Sequence, residues 1–210
     1  MKTFEKIIRN HLQGRKVLSF FIVANIVYVL MLTVTIPNVM EHTEGMKLLD
    51  MMPLGYDSEY VDSLFSTLGQ VGRDSYLYRQ IPLDMVYPLL FAISFSLLLA
   101  YFLNKLNLLK TPFLYGCLLP LVAGAADYAE NIGIIALLTN YPQLSKNTVI
   151  ITNSFSVLKS ACTTLCFVAL IGLLLAVGMK SLNNQYCHPE PFDCAQDRLR
   201  RRARNTNGHN

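Results

Sequence analysis

The twenty residues VLSFFIVANIVYVLMLTVTI, Val17 to Ile36, contain no charged side chain, and neither do the nineteen residues MVYPLLFAISFSLLLAYFL, Met85 to Leu103. A helix of about 20 apolar residues rises about 30 Å, the thickness of a bilayer's hydrocarbon core, so both runs read as membrane spans. Two further stretches, Phe113 to Leu138 and Val149 to Met179, are as long and mostly apolar, each with ionisable residues near its middle. The runs are continuous rather than alternating, and lipid offers no partner to unpaired backbone groups, which selects helices over strands. The expected fold is all-α, a four-helix transmembrane bundle over residues 17–180, with a short segment 1–16 before it and a disordered tail 181–210 after it.

Composition agrees with this reading. Of 210 residues, 52% are hydrophobic and 15% charged, against roughly 25% charged in ordinary soluble chains. An apolar run after a basic start can also be a cleaved signal. Here the run has twenty residues, longer than the ~7–15 of a signal core, and no small-x-small pattern follows Thr35-Ile36-Pro37, so a retained anchor is expected.

Lysine and arginine in the short flanks set the orientation. Lys2, Lys6, Arg9, Arg15 and Lys16 precede the first span, Lys105 and Lys110 lie between spans two and three, and Lys180 and the arginine-rich tail follow span four. The opposite side carries residues 37–84, with Lys47, Arg73 and Arg79 against eight acids. Both termini are therefore expected in the cytoplasm, in a multi-pass protein of a cytoplasmic membrane. Without residues 187–210, which hold five Arg against three acids, the net charge falls from +4 to +2, so basicity speaks to orientation rather than to an acidic partner.

Pro37 to Asp84 is long for a simple connection and should carry its own structure. Val61, Leu64, Phe65, Leu68 and Val71 recur at helical spacing after Asp57 and Ser58, which predicts an amphipathic helix from about Ser58 into the Tyr76 region. Gly69 and Gly72 weaken its later turns, and Ile81-Pro82 is expected to end it before Asp84 caps the second span. One reading makes this helix a lid on the outer end of the bundle. The other makes Arg73, Tyr76, Tyr78 and Arg79, with Asp84 nearby, an entry or headgroup site, because guanidinium and phenol groups suit phosphate and the interfacial zone. Met46, Met51 and Met52 read as apolar filling rather than soft metal ligands.

Charges inside the spans are the sharpest functional signal. Span three contains Gly124-Ala-Ala-Asp127-Tyr128-Ala-Glu130-Asn131, two carboxylates three residues apart on one helix face, and span four contains Lys159. Counted from the ends of the runs, Asp127 and Lys159 both lie about 15 Å deep at 1.5 Å per residue and are expected to face each other. Leaving such a group unpaired at the bilayer centre costs at least ~2.5–3.5 kcal/mol, so Lys159 should pair with one carboxylate while the other is surplus. Pro120 is expected to loosen span three by removing a helical hydrogen bond. Gly116, Gly124 and Asn131 on span three, with Thr152, Ser156, Thr163 and Cys166 on span four, extend a small and polar stripe suited to close helix contact.

Three functions remain open for Asp127, Glu130, Asn131 and Lys159. They can form a binding or transport site for a small or lipid-like ligand, supply proton transfer in a membrane enzyme of lipid metabolism, or act as a buried ion pair fixing helix register in a structural subunit. No nucleophile elbow, HExxH, phosphate loop or nucleotide fingerprint occurs, and no cofactor is expected. Cys117, Cys162, Cys166, Cys187 and Cys194 all fall outside the large loop, so no extracytoplasmic disulfide is expected. Cys162 and Cys166, one turn apart without a nearby histidine, read as packing residues rather than metal ligands. Membrane lipid is the expected partner; a terminal arginine cluster without interleaved aromatics does not read as a nucleic-acid site.

The combination Met52-Pro53-x-Gly55-Tyr56, Gly72-Arg73-x-x-Tyr76, Asp84-x-x-x-Pro88 and Asp127-Tyr128-x-Glu130-Asn131 resembles a family of uncharacterised bacterial four-span integral membrane proteins, over roughly residues 15–180. The resemblance implies an inner-membrane topology and this set of residues, and no activity. From about Cys187 the chain is similar to peptides translated from a dispersed bacterial genomic repeat. The alternative is a basic tail held to anionic lipid at about 1 kcal/mol per arginine.

Overall fold

The computed structural model describes residues 12–186; the first eleven residues and the tail from Cys187 lie outside the described residues, and of the tail 181–210 expected to be disordered, residues 181–186 are helical instead. Every regular element described is helical, and four helices are long and apolar enough to cross a membrane. One compact unit comprises residues up to Leu173 and holds all the contacts described below, and the residues from Leu174 form a second, helical to Tyr186.

The first span, α1, runs Gly14–Met40 and outlasts the uncharged run at both ends. Pro37 lies in its last part and would clash in a regular helix; a π turn at Met31–Thr35 precedes it and adjusts the backbone there. The second helix, α2, covers Ser58–Ser75 and starts where Asp57 caps it, its side chain accepting from the Tyr60 N–H at 2.8 Å. Val61, Leu64, Phe65 and Leu68 are buried, as their spacing requires, but Val71 is 68% exposed. Gly69 is the reason: its φ of +58° breaks the helical register, and beyond it Gly72, Ser75 and Tyr76 take the buried face instead.

Pro82 does not stop the chain's helical course. A second π turn, Tyr76–Gln80, precedes Ile81–Asp84, and α3 follows at Tyr87–Lys105. The two π turns meet, with the Thr35 hydroxyl bonded to the Gln80 side chain. Asp84 consequently sits within a helical turn and does not cap the second span, whose N-cap position is Val86. Pro120 also differs from expectation: a 3-10 segment, Pro112–Leu118, occupies the start of the third span, and Pro120 falls in the first turn of α4, Leu119–Asn140, where its missing N–H has no helical partner to lose. The last helix, α5, runs Lys146–Tyr186.

In sequence order, α1 packs on α3 and α3 on α4. Gly124 makes the second contact possible, since a Cβ there would lie 2.8 Å from the Pro88 carbonyl oxygen. Gly133 does the same for α4 against α5, where a Cβ would collide with the Thr152 side chain. Two apolar clusters result. One, built on Leu48, Leu49, Phe65, Tyr76 and Ile134, lies at the end carrying the long connection; the other, on Phe91, Phe95, Leu99, Leu114 and Cys166, lies toward the other end.

The connection between α1 and α2 dips between the helices rather than lying over them. Leu48 and Leu49 are fully buried, the Ser156 hydroxyl of α5 donates to the Met52 carbonyl, and the Tyr56 N–H donates to Asn153 Oδ1 at 2.8 Å. Gly55 permits that approach, with a φ of +91° and no room for a Cβ beside Asn153.

Candidate functional site

Asp127 and Lys159 stand thirteen residues from the α4–α5 connection, counted back from Asn140 and on from Lys146. Antiparallel helices of equal rise bring such positions to one level, about 20 Å from the turn. Lys159 Nζ lies 3.2 Å from Asp127 Oδ1 and is also ion-paired to Glu130 Oε2. Spacing of three residues puts both carboxylates on the face that meets α5, so one ammonium bridges two acids. Glu130 is fully buried, whereas the Lys159 and Asp127 side chains keep 16% and 10% of their surface.

Asn131 is fully buried beside them, its Nδ2 donating to the Asp84 carbonyl at 3.4 Å. That bond ties α4 to the turn before α3 and brings Asp84 into the same polar layer, 4% exposed, with its Oδ2 free of any hydrogen-bond partner among the described residues. Tyr76 is fully buried and donates its phenolic hydrogen to Asp50 Oδ1 at 2.6 Å.

Arg73 goes elsewhere. Its guanidinium donates to the Phe65 carbonyl at 2.6 Å and to Gln70 Oε1 at 3.0 Å, and lies 4.5 Å from the centre of the Tyr141 ring. It fastens α2 to the α4–α5 connection, while Tyr78 and Arg79 are exposed. The five residues expected to form an outer site thus separate: Tyr76 and Asp84 join the buried layer, and Arg73, Tyr78 and Arg79 do not.

Asp50 is a further candidate residue that the sequence pattern does not single out. It is one of eight acids in a polar connection and has no periodic context, so only the inward dip of Leu48–Met52 reveals its position. Tyr56 was likewise seen only as part of a motif. Its hydroxyl is buried without a hydrogen-bond partner among the described residues, and burial, with negative Glu130 second, pushes its phenol well above the ordinary value.

These polar groups close one end of a cavity of about 580 Å³. Asp50, Asp84, Asp127 and Lys159 line that end; Glu130 and Asn131 stand behind it. Its walls run down α1, α3 and α5 to Phe21, Phe95 and Leu170. Two polar side chains on the walls bond within their own helices, Thr164 donating to the Ser160 carbonyl at 2.8 Å and Asn25 to the Phe21 carbonyl at 2.7 Å, while the Ser160 and Thr163 hydroxyls line the cavity beside them. The far part, lined by Phe21, Phe91, Phe95, Phe167 and Leu170, is mainly apolar. Cys117, Cys162 and Cys166 are buried free thiols in the apolar cluster beyond, and no group of three His, Cys, Asp or Glu suited to a metal ion occurs among the described residues.

The arrangement defines an all-helical protein with four helices of membrane-span length around a cavity that is charged at one end and apolar at the other. No protein-family model, curated protein or solved structure matches the chain.

Proposed function

We propose that the protein is a multi-pass protein of the bacterial cytoplasmic membrane that binds or carries a small or lipid-like ligand at the intramembrane site of Asp127, Glu130, Asn131 and Lys159. Positive residues flanking the spans support cytoplasmic termini and an extracytoplasmic connection between α1 and α2. The observation that carries the reading is the cavity. A register-fixing ion pair needs no space beside it, yet Asp127 and Lys159 open onto about 580 Å³, within the range of roughly 300–1,000 Å³ typical of small-molecule sites.

Roles within the site follow from position. Asp127 and Lys159 touch the ligand; Glu130, fully buried behind them, holds the Lys159 ammonium; Asn131 anchors the Asp84 turn. Native mass spectrometry of the full chain, released from its membrane in mild detergent, tests this. A bound species present in the wild type and lost or exchanged in Asp127→Asn is the expected result. Identical profiles, both without a bound species, would favour the purely structural reading.

A further inference from the structure

The end of the cavity gathers more carboxyl groups than the protein's own cations pair among the described residues. Asp50, Asp84 and Asp127 line it, and Lys159 is the one Lys or Arg among the described lining residues. Lys159 is already shared between Asp127 and Glu130. Among the described residues, Asp50 receives a single side-chain hydrogen bond, from Tyr76, and Asp84 Oδ2 receives none although Asp84 is only 4% exposed. A carboxyl group in that situation keeps its proton unless a cation or a donor reaches it from the cavity side.

The aromatic lining points the same way. Tyr28 of α1 and Tyr87 of α3 line the cavity with their rings stacked 5.4 Å apart, and Tyr87 follows Asp84 by three residues. Aromatic faces beside carboxylates are the usual surroundings of a bound ammonium, above all a quaternary one. Below them the walls turn apolar. Phe91 and Phe95 stack at 4.5 Å, and Phe167 of α5 meets the Phe95 ring edge-on at 5.3 Å. From Lys159 to Leu170, eleven residues along α5, the cavity extends about 16 Å at 1.5 Å per residue, with charge at one end only.

We infer that the ligand is a monocationic amphiphile, whose ammonium sits among Asp50, Asp84 and Asp127 beside Tyr28 and Tyr87 and whose hydrocarbon lies along Phe91, Phe95 and Phe167. The inference rests on the cavity being a ligand site and adds its chemical class. Lys159 does not repel the ammonium outright, because two acids already hold its charge. It makes the site discriminate against a second positive charge on the ligand.

The test is equilibrium dialysis of labelled octyltrimethylammonium, octanoate and tetramethylammonium against the full chain in phosphatidylcholine nanodiscs, with protein-free discs as blank. Octyltrimethylammonium should bind saturably at one per chain, octanoate should show no saturable component, and tetramethylammonium, lacking the chain, should bind at least tenfold more weakly. Asp84→Asn and, as an independent variant, Asp50→Asn should each weaken octyltrimethylammonium at least tenfold. Ala123→Phe, which fills the apolar wall without touching an acid, should weaken octyltrimethylammonium and leave tetramethylammonium within about twofold. Unchanged affinity in both Asp variants would overturn the assignment. So would saturable octanoate binding that Lys159→Met abolishes, and in that case the cavity would still be a ligand site. If no probe binds saturably, the ligand-site reading falls with it.

Discussion

Lys159→Met removes the cation from a site that keeps both acids. Glu130 is fully buried and both carboxylates depend on the same Nζ, so the loss leaves one deeply buried carboxylate and one partly buried carboxylate uncompensated. Breaking a buried pair by deleting one partner costs ~3–5 kcal/mol, and a single charge at mid-span costs ~2.5–3.5 kcal/mol on insertion scales. The 10% exposure of Asp127 toward the cavity argues for the lower figure, about 3 kcal/mol or roughly a hundredfold in the folding equilibrium. Adding Glu130→Gln to Lys159→Met removes the buried charge that the first substitution stranded and should restore at least half of the loss, because deleting both members of a buried pair is close to neutral. Reversible unfolding in mixed micelles, titrated with sodium dodecyl sulfate and followed by far-ultraviolet circular dichroism, reads both values. A single variant within about 0.5 kcal/mol of wild type, or a double variant less stable than the single, would refute the argument that Lys159 holds two buried acids.

Other parts of the fold make separate predictions. Gly133→Val forces a side chain into Thr152 and should destabilise by about 1–3 kcal/mol in the same unfolding assay, with Thr152→Ala in the same chain recovering part of it. Asn153→Ala strands the Tyr56 N–H and should lower stability by about 1–3 kcal/mol while freeing the connection, read as faster amide exchange over residues 48–56. Tyr56→Phe removes a buried hydroxyl that has no partner and should be neutral or stabilising by up to about 1 kcal/mol at neutral pH. The Tyr56 phenol is raised in the folded state, so its contribution is complete below about pH 10 and is lost as pH climbs past that value; wild type should weaken more steeply there than Tyr56→Phe.

The spans are legible because lipid leaves so few solutions: an uncharged run such as Val17 to Ile36 has to be a helix, and Asp127 and Lys159 have to be explained wherever they occur in such runs. Equal depth on consecutive helices is enough to bring them together, and Lys159 Nζ lies 3.2 Å from Asp127 Oδ1. The α2 helix is legible up to Leu68 because burial of one face imposes the helical period, and fails at Val71 because a single glycine at positive φ turns the chain. Pro37 and Pro82 mislead in a related way. Local propensity reads a proline as a stop, whereas one added residue in a preceding π turn lets the helix pass it.

Asp50 and Asp84 were beyond that kind of reading. Their placement comes from tertiary contacts, the Tyr76 bond to Asp50 and the Asn131 bond to the Asp84 carbonyl, which join residues 26 and 47 positions apart. An acid near a helix start reads as a cap from sequence, and only the packing of α4 against that turn makes Asp84 part of a buried layer instead.

The account stands or falls on a cavity within the bilayer that ends at the Asp127–Lys159 pair. Cysteine accessibility measures it directly: in a chain whose five native cysteines are replaced by alanine, Thr163→Cys on the cavity wall is compared with Val168→Cys on the exposed face of α5. The reagent is a small cationic thiosulfonate added to protein in nanodiscs. The account predicts that Thr163→Cys reacts at least tenfold faster than Val168→Cys and is protected by octyltrimethylammonium. Equal, slow labelling of both positions would contradict it.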